Sequence, residues 1–177
     1  SAAHRIEWIA GTAESTGLQT ASADILTMAS SFHWPDYDKA IAEFRRVLRP
    51  GGFFCALWNP RLIEVNPLLV AIEQDLKDMV PELRRVSSGR SEFCEGLVDR
   101  LAATEGLDQV AYVEARHVEH QTPERYMGLW RSVNDIRVQA GEERFARFLE
   151  RVERRIAGAR SIQATYLTRA WIARRAP

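Results

Sequence analysis

The stretch Ala29–Asp36, "ASSFHWPD", follows an apolar run and places His33 beside Trp34. An imidazole that titrates near neutrality can orient or deprotonate a hydroxyl or carboxyl group. An indole face suits a cation. Ala29, Ser30 and Ser31 are small enough to let a ligand approach the backbone, or to let a helix pack tightly on a strand. The structural alternative for the pair is that His33 bonds a loop carbonyl and Trp34 staples the following helix. A second group is Gly11-Thr12-Ala13-Glu14, where Thr12 or Ser15 could equally cap a helical turn. Arg125, Tyr126, Trp130 and Arg131 form a third group on one helical stretch. A guanidinium fork there could pair with a carboxylate, though an arginine on a helix is first read as solvated. His117 and His120 alternate faces of a strand, and Cys55 and Cys94 fit no ligand spacing, so no metal site is expected.

The elements that must position these residues follow from the apolar pattern. Arg5–Gly11 reads as a short strand with Ile6, Trp8 and Ala10 on one face. Ala23–Ser30 reads as a strand covered on both faces. Pro35 and Asp36 open a helix through Leu48, with Tyr37, Ile41, Phe44 and Leu48 at helical spacing and Arg45, Arg46 and Arg49 in its last turn. Pro50-Gly51-Gly52 ends it, and Phe53–Trp58 is a buried strand. Strand, helix and strand with short joints make a βαβ unit with parallel strands. Asn66-Pro67 caps a further helix that Pro81 stops. Helices are also expected over Ser91–Thr104, over Pro123 to about Val133, and over Glu142 to about Ala157. The last of these presents Phe145, Phe148, Leu149, Val152 and Ile156. Gln109–Gln121 and Ser161–Arg175 read as extended, and no linker divides the chain.

The whole chain supports a single globular domain of 177 residues. Basic and acidic residues balance at 24 each, which argues against nucleic-acid and anionic-membrane partners. The many arginines after Arg125 are interleaved with glutamates and read first as a solvated helix face, second as an anion patch. No apolar run is long enough to span a membrane, the first residues lack the basic-then-apolar pattern of a signal peptide, and a cytoplasmic location is expected.

The ordered set "IEWIAGTAESTGL", "SADILTMASSFHW" and "AIAEFRRVLRPGGFFCALWN", closed by "ATYLTRAWIARR", resembles the class I SAM-dependent methyltransferases. Within them it resembles the trans-aconitate and ubiquinone-biosynthesis branch. The resemblance implies an α/β, Rossmann-like, mostly parallel sheet with helices on both faces, strand order 3-2-1-4-5-7-6 and the last strand antiparallel. Ile6–Ala10 resembles strand 3, Asp24–Ala29 strand 4, Phe53–Trp58 strand 5, Gln109–Glu119 strand 6 and Ile162–Ile172 strand 7. Residues from about 123 to 159 would be a helical insertion roofing the carboxyl ends of strands 4 and 5. The implied cofactor is S-adenosyl-L-methionine, with Gly11, Thr12, Ala13 and Glu14 along its adenine and Ala29, Ser30 and His33 beneath it. His33 is also the expected catalytic residue, in a cavity shared with Ser30. Trp34, turned partly inward, Trp130 and Arg131 would bind a small-molecule methyl acceptor.

One departure is plain. No two glycines stand in a G-x-G spacing, so the family's glycine-rich turn is absent and only the C-terminal portion of a methyltransferase domain is expected. Removing the two strands between strands 3 and 4 leaves a gap of about 14 Å. Three outcomes follow: an N-terminal segment fills it, Ile6–Ala10 slides across to pair with Asp24–Ala29, or a second copy supplies the edge and makes a homodimer. The expected function is methyl transfer to a small molecule, defective in this form. The rival is a non-catalytic methyltransferase-like scaffold or partner subunit.

Overall fold

The computed structural model describes residues 6–84 and 89–177. They form two compact units. The first is Ser1–Trp58, Gly89–Val113 and Arg169–Pro177; the second is Asn59–Ser88 and Glu114–Thr168. The chain therefore passes between units four times, which is why no single linker marks a boundary in the sequence.

The first unit is built on a parallel pair. Strand β1 (Ala23–Ala29) runs into helix α1 (Tyr37–Val47), which returns as β2 (Leu48–Trp58). Asp36 caps α1, its side chain accepting from the Lys39 N–H at 3.1 Å. The buried face of α1 is Tyr37, Ala40, Ile41, Phe44 and Val47. It packs with Phe32, Phe54, Trp58, Leu97, Leu101 and Trp171 in one hydrophobic cluster. Phe32 is fully buried, with ring centroids 4.8 Å from Phe54, 5.5 Å from Tyr37 and 5.9 Å from Phe44. The strand β2 starts at Leu48, earlier than the Pro50-Gly51-Gly52 signal suggests. Helix and strand share a boundary because Leu48 is already extended. At Gly52 a Cβ would lie 2.9 Å from the Asp24 carbonyl oxygen, so only glycine lets the two strands close there.

The sheet order is β1-β2-β4-β3, with β3 spanning Leu107–Gln121 and β4 spanning Ile162–Arg175. It reproduces the 4-5-7-6 half of the expected order, β1 parallel to β2 and β2 antiparallel to β4. Residues 6–10 form no strand, and Arg5 lies outside the described residues. Ile6, Trp8 and Ile9 are exposed; an extended segment becomes a strand only with a neighbour to bond, and these residues have none in the sheet. Ile25 and Leu26 align with Phe53 and Phe54 of β2, and β1 is the edge of the sheet with no strand among the described residues on its other side, so residues 6–10 have not slid across to it. Ile25 is 65% exposed, where the apolar run suggests a strand covered on both faces. The expected helix over Ser91–Thr104 is two pieces, α3 (Glu92–Glu95) and α4 (Leu97–Ala102), parted at Gly96.

In the second unit, α2 (Pro67–Met79), α5 (Pro123–Arg131), α6 (Asn134–Ala140) and α7 (Glu142–Ile156) enclose a separate core. Leu69, Ile72, Leu76, Tyr126, Trp130, Ile136, Phe148 and Val152 meet in it. The apolar face of α7 is thus buried against α2, α5 and α6 of its own unit. Helix α6 is not apparent from the sequence pattern, being seven residues without a side-chain cap. The charges that alternate along α7 separate on its surface. At 100° per residue its five arginines fall within about 100° of arc and its four glutamates within the adjacent 100°. Arg155 and Arg151 both reach the buried Asp75 of α2, and Arg144 reaches Glu82 at 2.7 Å. The Arg155 guanidinium, ahead of Arg151, holds the Asp75 carboxyl below its usual range.

Phe32→Ala should destabilise the first unit by about 3–5 kcal/mol, the cost of an unfilled aromatic site. Urea denaturation of the variant against the parent measures it.

Candidate functional site

The pairing of β1 with β2 fixes where the candidate residues fall. Ala29 lies opposite Leu57, and the Ser30 N–H donates to the Leu57 carbonyl at 2.7 Å. Ser30 has φ 51°, a left-handed turn that lifts the chain off the strand. The Trp34 N–H donates back to the Ser31 carbonyl at 3.1 Å, closing a turn before α1. This turn sets the His33 ring 4.7 Å from Trp34 and 6.2 Å from Trp58, the last residue of β2. Nε2 of His33 is buried and has no hydrogen-bond partner among the described residues. The indole Nε1 of Trp58 is in the same condition. Burial lowers the His33 pKa, which keeps the imidazole neutral at neutral pH.

Trp34 is 65% exposed, so it lies on the surface against the His33 ring and is not turned inward. Its position follows from the turn, which sends Phe32 into the core and leaves Trp34 outside it. Trp58 was not among the candidates legible in the sequence. It sits at the end of the apolar run "FFCALW" and reads there as core.

The loop Gly11–Glu14 is held against α1. Thr12 and Ser15 exchange backbone hydrogen bonds of 3.0 and 3.2 Å. A Cβ on Gly11 would meet the Thr16 carbonyl oxygen at 2.8 Å, so this turn requires glycine. The Glu14 carboxylate accepts from the Asp36 N–H at 3.0 Å. Hydrogen bonds from its own backbone N–H and from Asp36 hold its pKa below the usual range. Glu43 anchors the loop further on, accepting from both the N–H and the hydroxyl of Thr16. Glu14 therefore has a structural task at the start of α1, three residues from His33.

Two candidates belong to the second unit. Trp130 is 1% exposed, packed edge-on against Phe148 at 4.9 Å with the Arg61 guanidinium over its ring at 4.8 Å. It is expected as a substrate contact and lies in the core of its unit, because the apolar face of α5 points it inward. Its sequence neighbour Arg131 is at the surface, paired with Glu153 at 2.8 Å. Arg131 lines a cavity of about 440 Å³ together with Met127, Glu153 and Ile156. Tyr126 is buried in the same core as Trp130, while the Arg125 N–H donates to the Thr122 cap. The His117 ring stacks on Tyr166 at 5.4 Å. No group of three or more metal-ligating side chains occurs among the described residues. None of their helices is long and apolar enough to cross a membrane.

Residues 1–56 match the family described as a methyltransferase domain. A 51-residue segment is 47% identical to an uncharacterized methyltransferase of Mycobacterium tuberculosis, over 29% of this chain and 21% of the relative. A 52-residue segment is 38% identical to an uncharacterized methyltransferase-like protein of Schizosaccharomyces pombe, over 29% and 20%. The chain thus matches about a fifth of the length of these curated relatives. Among solved structures, a candidate type II methyltransferase from Anaeromyxobacter dehalogenans superposes with a TM-score of 0.63 at 22% identity. That superposition covers 94% of this chain and 71% of the other. A candidate methyltransferase of an antibiotic-biosynthesis pathway from Anabaena variabilis superposes with a TM-score of 0.53 at 15% identity, over 92% and 72%. At these identities the likeness is one of fold. The chain has the mixed α/β, Rossmann-like fold of methyltransferases.

The lowered pKa of His33 gives a pH prediction. Neutral in the folded state, His33 contributes stability above the unfolded value of about 6.5 and loses it as pH falls toward its folded pKa. In a nitrogen-15 NMR titration His33 should show a midpoint below 6.5. Trp34→Ala, by opening the ring to water, should move that midpoint upward.

Proposed function

We propose that this chain forms part of a SAM-dependent methyltransferase of the trans-aconitate and ubiquinone-biosynthesis type, acting on a small-molecule acceptor. The observation that supports this most is the coincidence of two things. The methyltransferase-domain match covers residues 1–56, and within it the buried, unpartnered His33 Nε2 stands at the carboxyl end of a parallel strand. Open α/β sheets take their ligands at that end.

The residues there fit the cofactor in shape. Ala29 and Ser30 are small and exposed, Gly11 is exposed in its turn, and Trp34 offers an open aromatic face suited to a sulfonium cation. Gly11, Thr12, Ala13, Ala29 and Ser30 are the residues that would hold it. Glu14 would act at one remove, by fixing the loop to α1. When bound, SAM supplies an electrophilic methyl group. The chain's own part is to place an acceptor beside it, exclude water and hold a proton at His33 Nε2. Placement alone can contribute roughly 7–11 kcal/mol. Arg131, at the rim of its cavity, is the candidate contact for an acceptor carboxylate.

Calorimetric titration of this chain with SAM and with S-adenosylhomocysteine tests the reading. Saturable binding of both, weakened less than about threefold in His33→Ala, is the expected result. In the native-length enzyme the same variant should lose roughly 100-fold or more in turnover, the scale of a lost general base. Absence of saturable heat at about 1 mM SAM, where even a weak millimolar complex is populated, would favour the non-catalytic scaffold.

A further inference from the structure

The first unit has a cavity at the end of α1 away from His33. Its volume is about 380 Å³, and Arg45, Arg46 and Arg175 line it with Ala42, Gly106, Ala176 and Pro177. That volume lies in the range of about 300–1,000 Å³ that small-molecule sites occupy. No carboxylate side chain lines it. A concave surface bearing one sign of charge concentrates its field on an ion of the other sign. Helix α1 is 11 residues long, or about 16 Å, so this cavity is separate from the His33 turn at its start.

The three guanidiniums are not equivalent. Arg46 is balanced by Glu43 at 2.7 Å and also donates to Thr20 and to the Leu18 carbonyl. Arg45 has no ion pair or hydrogen-bond partner among the described residues. It lies over Gly106, where a Cβ would overlap its guanidinium, so only glycine, at φ 77°, admits it. Arg175 donates to the Leu48 carbonyl and pairs with no carboxylate among the described residues. The Ala176 N–H donates to the Gly106 carbonyl at 3.0 Å, which holds the end of β4 beside Arg45. Arg45 and Arg175 therefore bring two positive charges without a counter-charge. Each carries five N–H donors, and of these only the one on Leu48 is engaged.

A ligand that balances two guanidiniums carries two negative charges. A phosphate monoester has a charge of about −1.5 to −2 at pH 7 and three strong acceptor oxygens. Guanidinium forks take such oxygens in pairs. A monocarboxylate leaves one cation unmatched. A nucleic acid also carries phosphate, but with one charge on each, and it is held along a basic stripe. Here the arginines meet in one concave site, in a chain whose bases and acids balance at 24 each.

We propose that Arg45 and Arg175 bind the phosphate of a small phosphomonoester, with Arg46 completing the wall. The site stands independently of the methyltransferase reading.

The test uses phenyl phosphate, with benzoate as the singly charged control, at neutral pH and fixed ionic strength. Nitrogen-15 spectra of the full chain report the Nε–H groups of Arg45 and Arg175. Phenyl phosphate should shift both together and saturably, with a Kd of about 1 mM or tighter, and bind at least about tenfold more tightly than benzoate. Inorganic phosphate should displace it from the parent chain, a measurement that needs no variant. Arg45→Gln should weaken binding at least about tenfold, and Arg45→Lys nearly as much, because an ammonium keeps the charge and loses the fork. Arg116→Gln, which removes an exposed arginine of β3 outside the cavity, should leave the affinity unchanged. Thermal unfolding checks the fold of each variant. The proposal is overturned if the two Nε–H groups do not shift together by about 10 mM phenyl phosphate, ten times that Kd. It is equally overturned if benzoate binds as tightly, or if Arg45→Lys keeps full affinity, which marks a charged surface and no built site. Binding of a short DNA duplex without a response to phenyl phosphate also overturns it, in favour of a nucleic-acid contact.

Discussion

The close approach of β1 and β2 at Gly52 is the constraint on which the first unit depends. A side chain there would collide with the Asp24 carbonyl, and the two strands could not keep their register. Register is unforgiving in a sheet, because a slip of one residue exchanges the two faces. With Ala29 held opposite Leu57, the chain leaves β1 through the left-handed Ser30 and delivers Phe32 to the core and His33 to the end of β2. Trp58 meets His33 only because both strands stop at the same level. The candidate site is therefore a consequence of strand pairing and a turn, more than of any local motif.

The loop before β1 is tied to that arrangement by charge. Glu14 bonds the first N–H of the α1 cap, and Glu43 on α1 bonds Thr16 while Arg46 holds both Glu43 and the Leu18 carbonyl. The Arg46 guanidinium, followed by the Thr16 hydroxyl, pushes the Glu43 pKa down to about 2. Residues 11–18 are thus positioned by α1. The second unit uses charge differently. Its buried Asp75 takes two guanidiniums from one side of α7, while the adjoining apolar side fills the core. Arginines and glutamates that look mixed in sequence are sorted by the helical period, and the sorted arginine face is largely engaged with carboxylates of its own unit.

Much of this was legible from residue types. The βαβ unit, the helix start at Asp36, the Asn66 cap and the amphipathic α7 rest on periodicity and capping, which act over a few residues and are written locally, whereas the order of the last four strands was implied by the methyltransferase resemblance. The same local logic explains the misses. Residues 6–10 have strand composition, but a strand needs a bonded neighbour, and composition does not supply one. Trp130 and Arg131 are adjacent in sequence and end in opposite environments, because a step of 100° around α5 separates core from surface.

The sequence by itself determined the class of fold and the presence of a capable histidine after an apolar strand. It did so through hydrophobic spacing and turn chemistry, which depend on near neighbours. Only the tertiary structure decided what that histidine faces. It turned Trp34 outward, brought Trp58 in from a strand 25 residues away along the chain, and left a buried nitrogen on each of His33 and Trp58 without a partner among the described residues. The physical reason is that desolvation is a property of the surroundings. An imidazole or an indole N–H becomes selective only when packing from distant segments removes water from around it.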